Sequence, residues 1–220
     1  MYLPRAFAVD DLPTLHSFME QFSFASLVTQ NEGNLIASHI PFVLDREVGA
    51  EGRLRGHVAV RNPQLAHLKS GSEALVMFQG PHMYISPSWY VSQETVPTWN
   101  YTVVHAYGRP KMLDRAGLVV LLKDLVQQNE GLFERPWGFD PQAAWIEKML
   151  PEIAAFEIPI ERLEGKFKLN QNRAAADRKR VVEVLSTSQE PAQRHMAELI
   201  QQAEPSKRSH LEPHTPDAPF

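Results

Sequence analysis

Cysteine is absent from all 220 residues. That absence removes disulfides, thiolate nucleophiles, iron–sulfur clusters and every cysteine-ligated zinc site together. Long apolar runs are missing too: a stretch such as Leu118–Leu122 falls far short of the roughly 20 residues that span a bilayer. The opening Met1-Tyr2-Leu3-Pro4-Arg5-Ala6-Phe7 lacks the apolar centre of a signal peptide, so the expectation is a cytoplasmic protein without a membrane partner. Excess positive charge is lacking as well. With 22 Lys+Arg against 26 Asp+Glu the formal charge is -4, which makes a poor bulk binder of polyanions. No glycine-rich phosphate loop, internal repeat or Gly-x-Ser-x-Gly elbow occurs, and the first half shows no βαβ rhythm. No catalytic residue can be assigned from such patterns.

What is present reads as an α+β chain, mostly β with peripheral helices. Asp10 or Asp11 can cap a first helix carrying Leu12, Leu15, Phe18, Met19 and Phe22 at helical spacing. Phe24–Gln30 and Leu35–Leu44 flank the turn signal Asn31-Glu32-Gly33-Asn34 and predict a hairpin. Both faces of its second strand are apolar, as in a strand covered by a barrel interior on one side and by a helix or a partner subunit on the other. Further strands are expected at Arg53–Val60, at Ala74–Phe78 with Met83–Ile85 continuing past a kink at Gly80-Pro81, at Trp99–Tyr107 and at Ile153–Leu163. A short helix follows Asn62-Pro63, and Ser86–Pro97 reads as a long functional or interfacial loop. Helices are expected at Arg115–Asn129, from Asp140-Pro141 through Met149, at Ala174–Leu185 and at Pro191–Ala203. Five or six antiparallel strands with peripheral helices suggest a small β-barrel. The expected division is 1–185 for the barrel domain, 186–203 for a helical appendage and 204–220, with four prolines, for a disordered tail.

For chemistry, His39, His57, His82 and His105 fall on four predicted strands, but no His-x-His or HExxH spacing supports a metal, and hydrogen-bonded histidines at a seam are the plainer reading. Ser38 and His39 point to opposite faces of one strand and cannot pair as a dyad. Three polar and aromatic blocks are more informative. In Gly56–Gln64 a strand ends and a helix begins, so Arg61, Asn62 and helix amides can meet a phosphate. In Gln79–Tyr90 and Pro97–Tyr101, rings including Trp89, Tyr90, Trp99 and Tyr101 can stack on a planar heterocycle while hydroxyls and amides, Asn100 among them, fix its edge. In Gly165–Arg173, if extended, Lys166 and Lys168 share one face. The helix pair at 174–203 carries Arg178, Lys179 and Arg180, but its second helix has only Arg194 as a strong base-reading cation, which fits a packing pair better than a direct DNA reader.

Ala37-Ser38-His39-Ile40-Pro41-Phe42, Phe78-Gln79-Gly80-Pro81-His82, Tyr84-Ile85-Ser86-Pro87-Ser88-Trp89-Tyr90, Pro97-Thr98-Trp99-Asn100-Tyr101 and Gly165-Lys166-Phe167-Lys168-Leu169-Asn170-Gln171-Asn172-Arg173 form an ordered set that resembles the PaiB family, described as FMN-binding negative transcriptional regulators. The resemblance runs over about residues 1–185. It implies the FMN-binding split β-barrel, a homodimer with two flavin sites in the subunit interface, and a small-molecule ligand in that cleft. It further implies Arg61 and Asn62, with Gln79, near the phosphate, Lys166 and Lys168 at the phosphate or the pyrimidine edge of the flavin, and Ser38 and His39 lining the cleft. The closely spaced Arg and Lys of pyridoxamine-phosphate oxidases are absent, which argues against that substrate. Two rival functions are a haem-binding or haem-degrading split barrel using the strand histidines, and a cofactor-free regulatory interaction protein.

Overall fold

The elements follow from local chemistry before any packing. In the computed structural model, which describes residues 1–203, the order is β1 (Ala8–Val9), α1 (Leu12–Gln21), β2 (Phe24–Asn31), β3 (Asn34–Pro41), β4 (Val43–Asp45), β5 (Arg53–Ala59), α2 (Gln64–Ser70), β6 (Ala74–Ile85), β7 (Thr98–Gly108), β8 (Lys111–Met112), α3 (Arg115–Glu130), α4 (Ala144–Met149), β9 (Ile153–Lys168), α5 (Ala175–Ser186) and α6 (Pro191–Gln202). The tail expected at 204–220 lies outside the described residues. Asp11 caps α1 by accepting from the Thr14 amide at 2.9 Å, and Asp114 caps α3 by accepting from Gly117 at 2.8 Å. Glu32 and Gly33, with φ of 48° and 83°, close the β2–β3 hairpin, a turn in which two successive left-handed residues match the strand twist.

The nine strands form an antiparallel sheet of order β3-β2-β6-β7-β9-β5-β4, with β1 and β8 also pairing to β9. The sequence predicts five or six. The three short strands β1, β4 and β8 have two or three residues each, too few to show alternation. The two stretches expected on either side of Gly80-Pro81 form one strand, β6, which runs through both residues. A Cβ on Gly80 would lie 2.6 Å from Thr102 Oγ1 and 2.8 Å from the Phe18 ring, so the glycine serves a close approach. Leu35–Leu44 is interrupted at Phe42, which separates β3 from β4. The helix expected from Asp140 begins only at Ala144; Asp140 instead opens a turn, its carboxylate accepting from the Gln142 amide at 2.9 Å and its carbonyl from the Ala143 amide at 3.1 Å.

The chain divides into two units. The larger comprises Met1–Leu3, Ala8–Gly80 and Thr102–Phe167; the smaller comprises Pro4–Phe7, Pro81–Tyr101 and the described residues from Lys168 onward. The core of the larger is one cluster in which Leu27, Leu54, Val76, Phe78, Val104, Phe156 and Ile158 of the strands pack with Leu15, Phe18 and Met19 of α1. A second cluster packs Leu118, Leu121 and Leu125 of α3 against Val43, Ile146 and Ala155. Each such side chain contributes about 1.5–3 kcal/mol of burial. Between β4, β5 and α3, the Arg55 guanidinium clasps Asp45 with two bonds of 2.7 Å and reaches Asp124 at 2.8 Å. Burial opposes the charge on Asp45, but Arg55 and Arg53 outweigh it and hold the carboxyl below its ordinary range.

In the smaller unit α5 and α6 lie together over buried Val181, Leu185, Met196, Ala197 and Ile200. Arg178, 8% exposed, donates from Nη2 to the carbonyls of Ile200 and Ala203 at 2.7 and 2.6 Å. Arg194 donates to the carbonyls of Ser188 and Gln189, both at 2.8 Å. Two of the cations that could have addressed DNA therefore bind the pair's own backbone.

Candidate functional site

In the larger unit, β3 presents Ile36, Ser38 and Ile40 half-buried on one face and Leu35, Ala37 and His39 exposed on the other, Leu35 at 70%. Ser38 and Asn62 are brought together: Asn62 Nδ2 donates to Ser38 Oγ at 3.0 Å. The same Asn62 accepts from the Gln64 amide through Oδ1 at 2.9 Å, and its carbonyl takes the Leu65 amide at 3.0 Å. The Ala66 amide goes to the Pro63 carbonyl. The amides expected to meet a phosphate at the start of α2 are thus already used, which leaves Arg61 as the outward-facing cation of that block. Its side chain is 89% exposed, with the Glu152 carboxylate 3.9 Å away. His39 Nδ1 pairs with Ser26 Oγ at 2.9 Å, so it is separated from its neighbour Ser38 by the strand itself. Gln79 is exposed on β6. Lys166 is 8% exposed, and its ammonium donates to the Tyr2 carbonyl at 2.9 Å, 5.3 Å from the centre of the Tyr2 ring.

In the smaller unit, Trp99 is 54% exposed and sits in a stack of rings: His82 at 6.4 Å and Tyr84, edge-on, at 6.0 Å. Asn100, the next residue along β7, faces the opposite side, so the structure does not bring Trp99 and Asn100 to one surface. Asn100 is 0% exposed and neither atom of its amide has a hydrogen-bond partner. Lys168 Nζ donates to Thr98 Oγ1 at 2.7 Å, which puts an ammonium beside the strand position two residues from Asn100, on the same face. Trp89 is half-buried in a short turn, Pro87–Trp89, opened by Ser86. Tyr90 is buried under the Arg173 guanidinium, 4.8 Å from the ring centre; burial raises its hydroxyl's pKa while Arg173 pulls the other way.

Asp177, which no sequence pattern singles out, fastens the 86–97 loop. Its carboxylate accepts from the amides of Val91 and Ser92 at 2.8 and 2.9 Å and from the Ser92 hydroxyl at 2.7 Å. Burial works against its charge, but these donors win and its pKa is lowered. The one available signal was an acidic residue in the first turn of a helix, too common to mark a loop anchor.

The histidines do not assemble. Among the described residues no three His, Asp or Glu side chains gather as a metal-ligand set. His57 and His105 keep a buried ring nitrogen without a partner, and burial lowers the pKa of both.

A flavin mononucleotide needs positive charge and an edge that offers both donor and acceptor. The buried, partnerless amide of Asn100 on the Lys168 side of β7 has that donor set, and the residues fit the group on this count.

Comparison with known proteins follows the same line. The family model described as "Putative FMN-binding domain" matches residues 1–162. The chain is 37% identical over 202 residues to the protease synthase and sporulation protein PAI 2 of Bacillus subtilis, covering 91% of this chain and 97% of that one. Among solved structures it resembles the flavocytochrome Anf3 from Azotobacter vinelandii, with TM-score 0.58 and 15% identity over 75% of this chain and 72% of that one. It also resembles an FAD- and heme-binding protein from Mycobacterium smegmatis, with TM-score 0.52 and 16% identity over 73% of each. At these identities the structural matches establish the fold, a split β-barrel. Among the described residues, no helix is long and apolar enough to cross a membrane.

Proposed function

The chain belongs to the PaiB family of FMN-binding-domain proteins, and from that premise we propose that it binds FMN as a homodimer and uses the flavin as a redox or ligand sensor or as a slow oxidoreductase centre. The observation that carries the reading is the buried, partnerless Asn100 amide on the same face of β7 as Thr98, whose hydroxyl takes the Lys168 ammonium. When bound, FMN supplies hydride or single-electron transfer. The chain's part is to bind and orient it: Asn100 offers one donor and one acceptor to the ring edge once its cover shifts, and Lys168 holds positive charge near that edge, which favours the reduced form. Homodimer formation rests on the apolar outer face of β3, Leu35 and Ala37 beside His39, and on the exposed ring stack around Trp99, both surfaces that a second subunit would cover. A regulatory role of the PaiB kind would work through a partner or a bound ligand, because Arg178 and Arg194 are engaged within their own helix pair.

The test is the visible absorption spectrum of the purified chain before and after incubation with FMN and desalting. Flavin bands retained in proportion to protomer support the reading; a protein that stays colourless overturns it, and one that instead gains a Soret band with haem replaces FMN by the rival. Lys168→Met and Arg61→Ala test the cation of each unit by itself. Loss of retention in Lys168→Met is expected, and an unchanged Arg61→Ala would remove Arg61 from flavin binding.

A further inference from the structure

A groove of about 330 Å³ opens between the last two turns of α3 and the irregular segment that follows it. One wall is the helix face carrying Lys123, Gln127 and Glu130; the other is built by Pro136, Trp137 and Phe139. Its size lies at the small end of ligand sites. One bond ties its two walls together: the Trp137 amide donates to Glu130 Oε2 at 2.7 Å, which holds these two lining residues side by side. The rings of Trp137 and Phe139 lie 6.3 Å apart at 52°, and Trp145 stands 6.5 Å from Trp137. Trp137 remains 47% exposed, so its face is available.

Three electrostatic features of this end agree in sign. The Glu130 carboxylate is negative, the C-terminus of α3 carries the negative end of the helix dipole, and indole and phenyl faces are electron-rich. Lys123, seven residues earlier, lies roughly 10 Å further along the helix and marks the far end. We propose that this groove binds a small organic monocation, an ammonium group on an apolar body, with the ammonium between Trp137 and Glu130 and the body along Pro136 and Phe139. The site lies wholly within the larger unit and requires no flavin.

The experiment titrates the full chain with benzyltrimethylammonium and follows the indole N–H signal of Trp137 by NMR, identified by its loss in Trp137→Leu. Benzyl alcohol and benzoate serve as uncharged and anionic probes of similar size. Saturable shifts are expected with the cation, with at least about tenfold weaker binding of the other two probes. Glu130→Gln, which keeps an oxygen for the Trp137 amide, should weaken the cation about tenfold, and Lys123→Met should tighten it. Benzyl alcohol binding as well as the cation, an unchanged affinity in Glu130→Gln, or no saturable shift in the wild-type chain would each overturn the proposal. Because the flavin spectrum does not enter this measurement, failure here leaves the FMN reading standing.

Discussion

The two units treat their buried polar groups differently. In the larger, Gln64 is wholly buried and its Nε2 donates to the Leu27 and Ile36 carbonyls and to Thr29 Oγ1, at 3.0–3.1 Å, while its Oε1 and one ring nitrogen each of His57 and His105 are buried without a partner. Arg55 is matched with two carboxylates in the same unit. In the smaller unit the amide atoms of Asn100, the Tyr90 hydroxyl, Thr95 Oγ1 and Asn170 Nδ2 are buried without partners. Each such atom costs about 1–3 kcal/mol that the sequence could recover with an apolar residue. The difference is one of degree: the larger unit pairs most of what these side chains offer, while the smaller leaves both atoms of one amide, Asn100, unused, the kind of capacity a ligand can take up.

The contrast can be broken first at Arg55. Arg55→Ala leaves Asp124 without its cation and Asp45 with Arg53 alone, and should cost about 3 kcal/mol, since breaking a buried pair by one partner is strongly destabilising. Chemical denaturation checks this, and a loss below about 1 kcal/mol would mean that the network is not a stability element. Next comes acidity. His57 and His105 have folded pKa values below their unfolded ones, so their contribution is complete above the unfolded pKa of about 6.5 and is lost as pH falls beneath it. Asp45, also depressed, adds its loss only as pH falls through the carboxylate range. Thermal midpoints should therefore begin to drop below about pH 6.5, and His57→Gln should flatten that first step. The smallest effect on stability is expected in the smaller unit, where Asn100→Leu should leave the midpoint unchanged or raise it while abolishing flavin retention. A large destabilisation would show that Asn100 has structural partners after all, and would erase the contrast.

Much of the barrel was legible because its signals are local. The hairpin turn at Asn31–Asn34, the Asp11 cap and the alternation of β5 are each written within a few residues. The short strands were not legible, since Ala8–Val9 and Lys111–Met112 become strands only by lying against β9, a partner more than 40 residues away in sequence. The candidate site was legible as residue types more than as geometry. Sequence placed Trp99 and Asn100 in one block, but strand pleating sends them to opposite faces. It proposed the α2 amides for an anion, but Asn62 itself takes up the nearest of them. The Trp137 groove escaped notice because the 132–143 segment has no periodicity, and aromatic residues in such a stretch carry no sign of what they face.

The position of β9 in the sheet sets the order in which the protein can be made. It is the partner of β1, β5 and β8, and lies beside β7 in the sheet, yet its sixteen residues begin at Ile153. During synthesis the β2–β3 hairpin can close as soon as it emerges, whereas β5 has β4 on one edge and waits nearly a hundred residues for a neighbour on the other. A nascent chain halted before Ile153 would therefore display several open strand edges at once, and would be the form most in need of a chaperone.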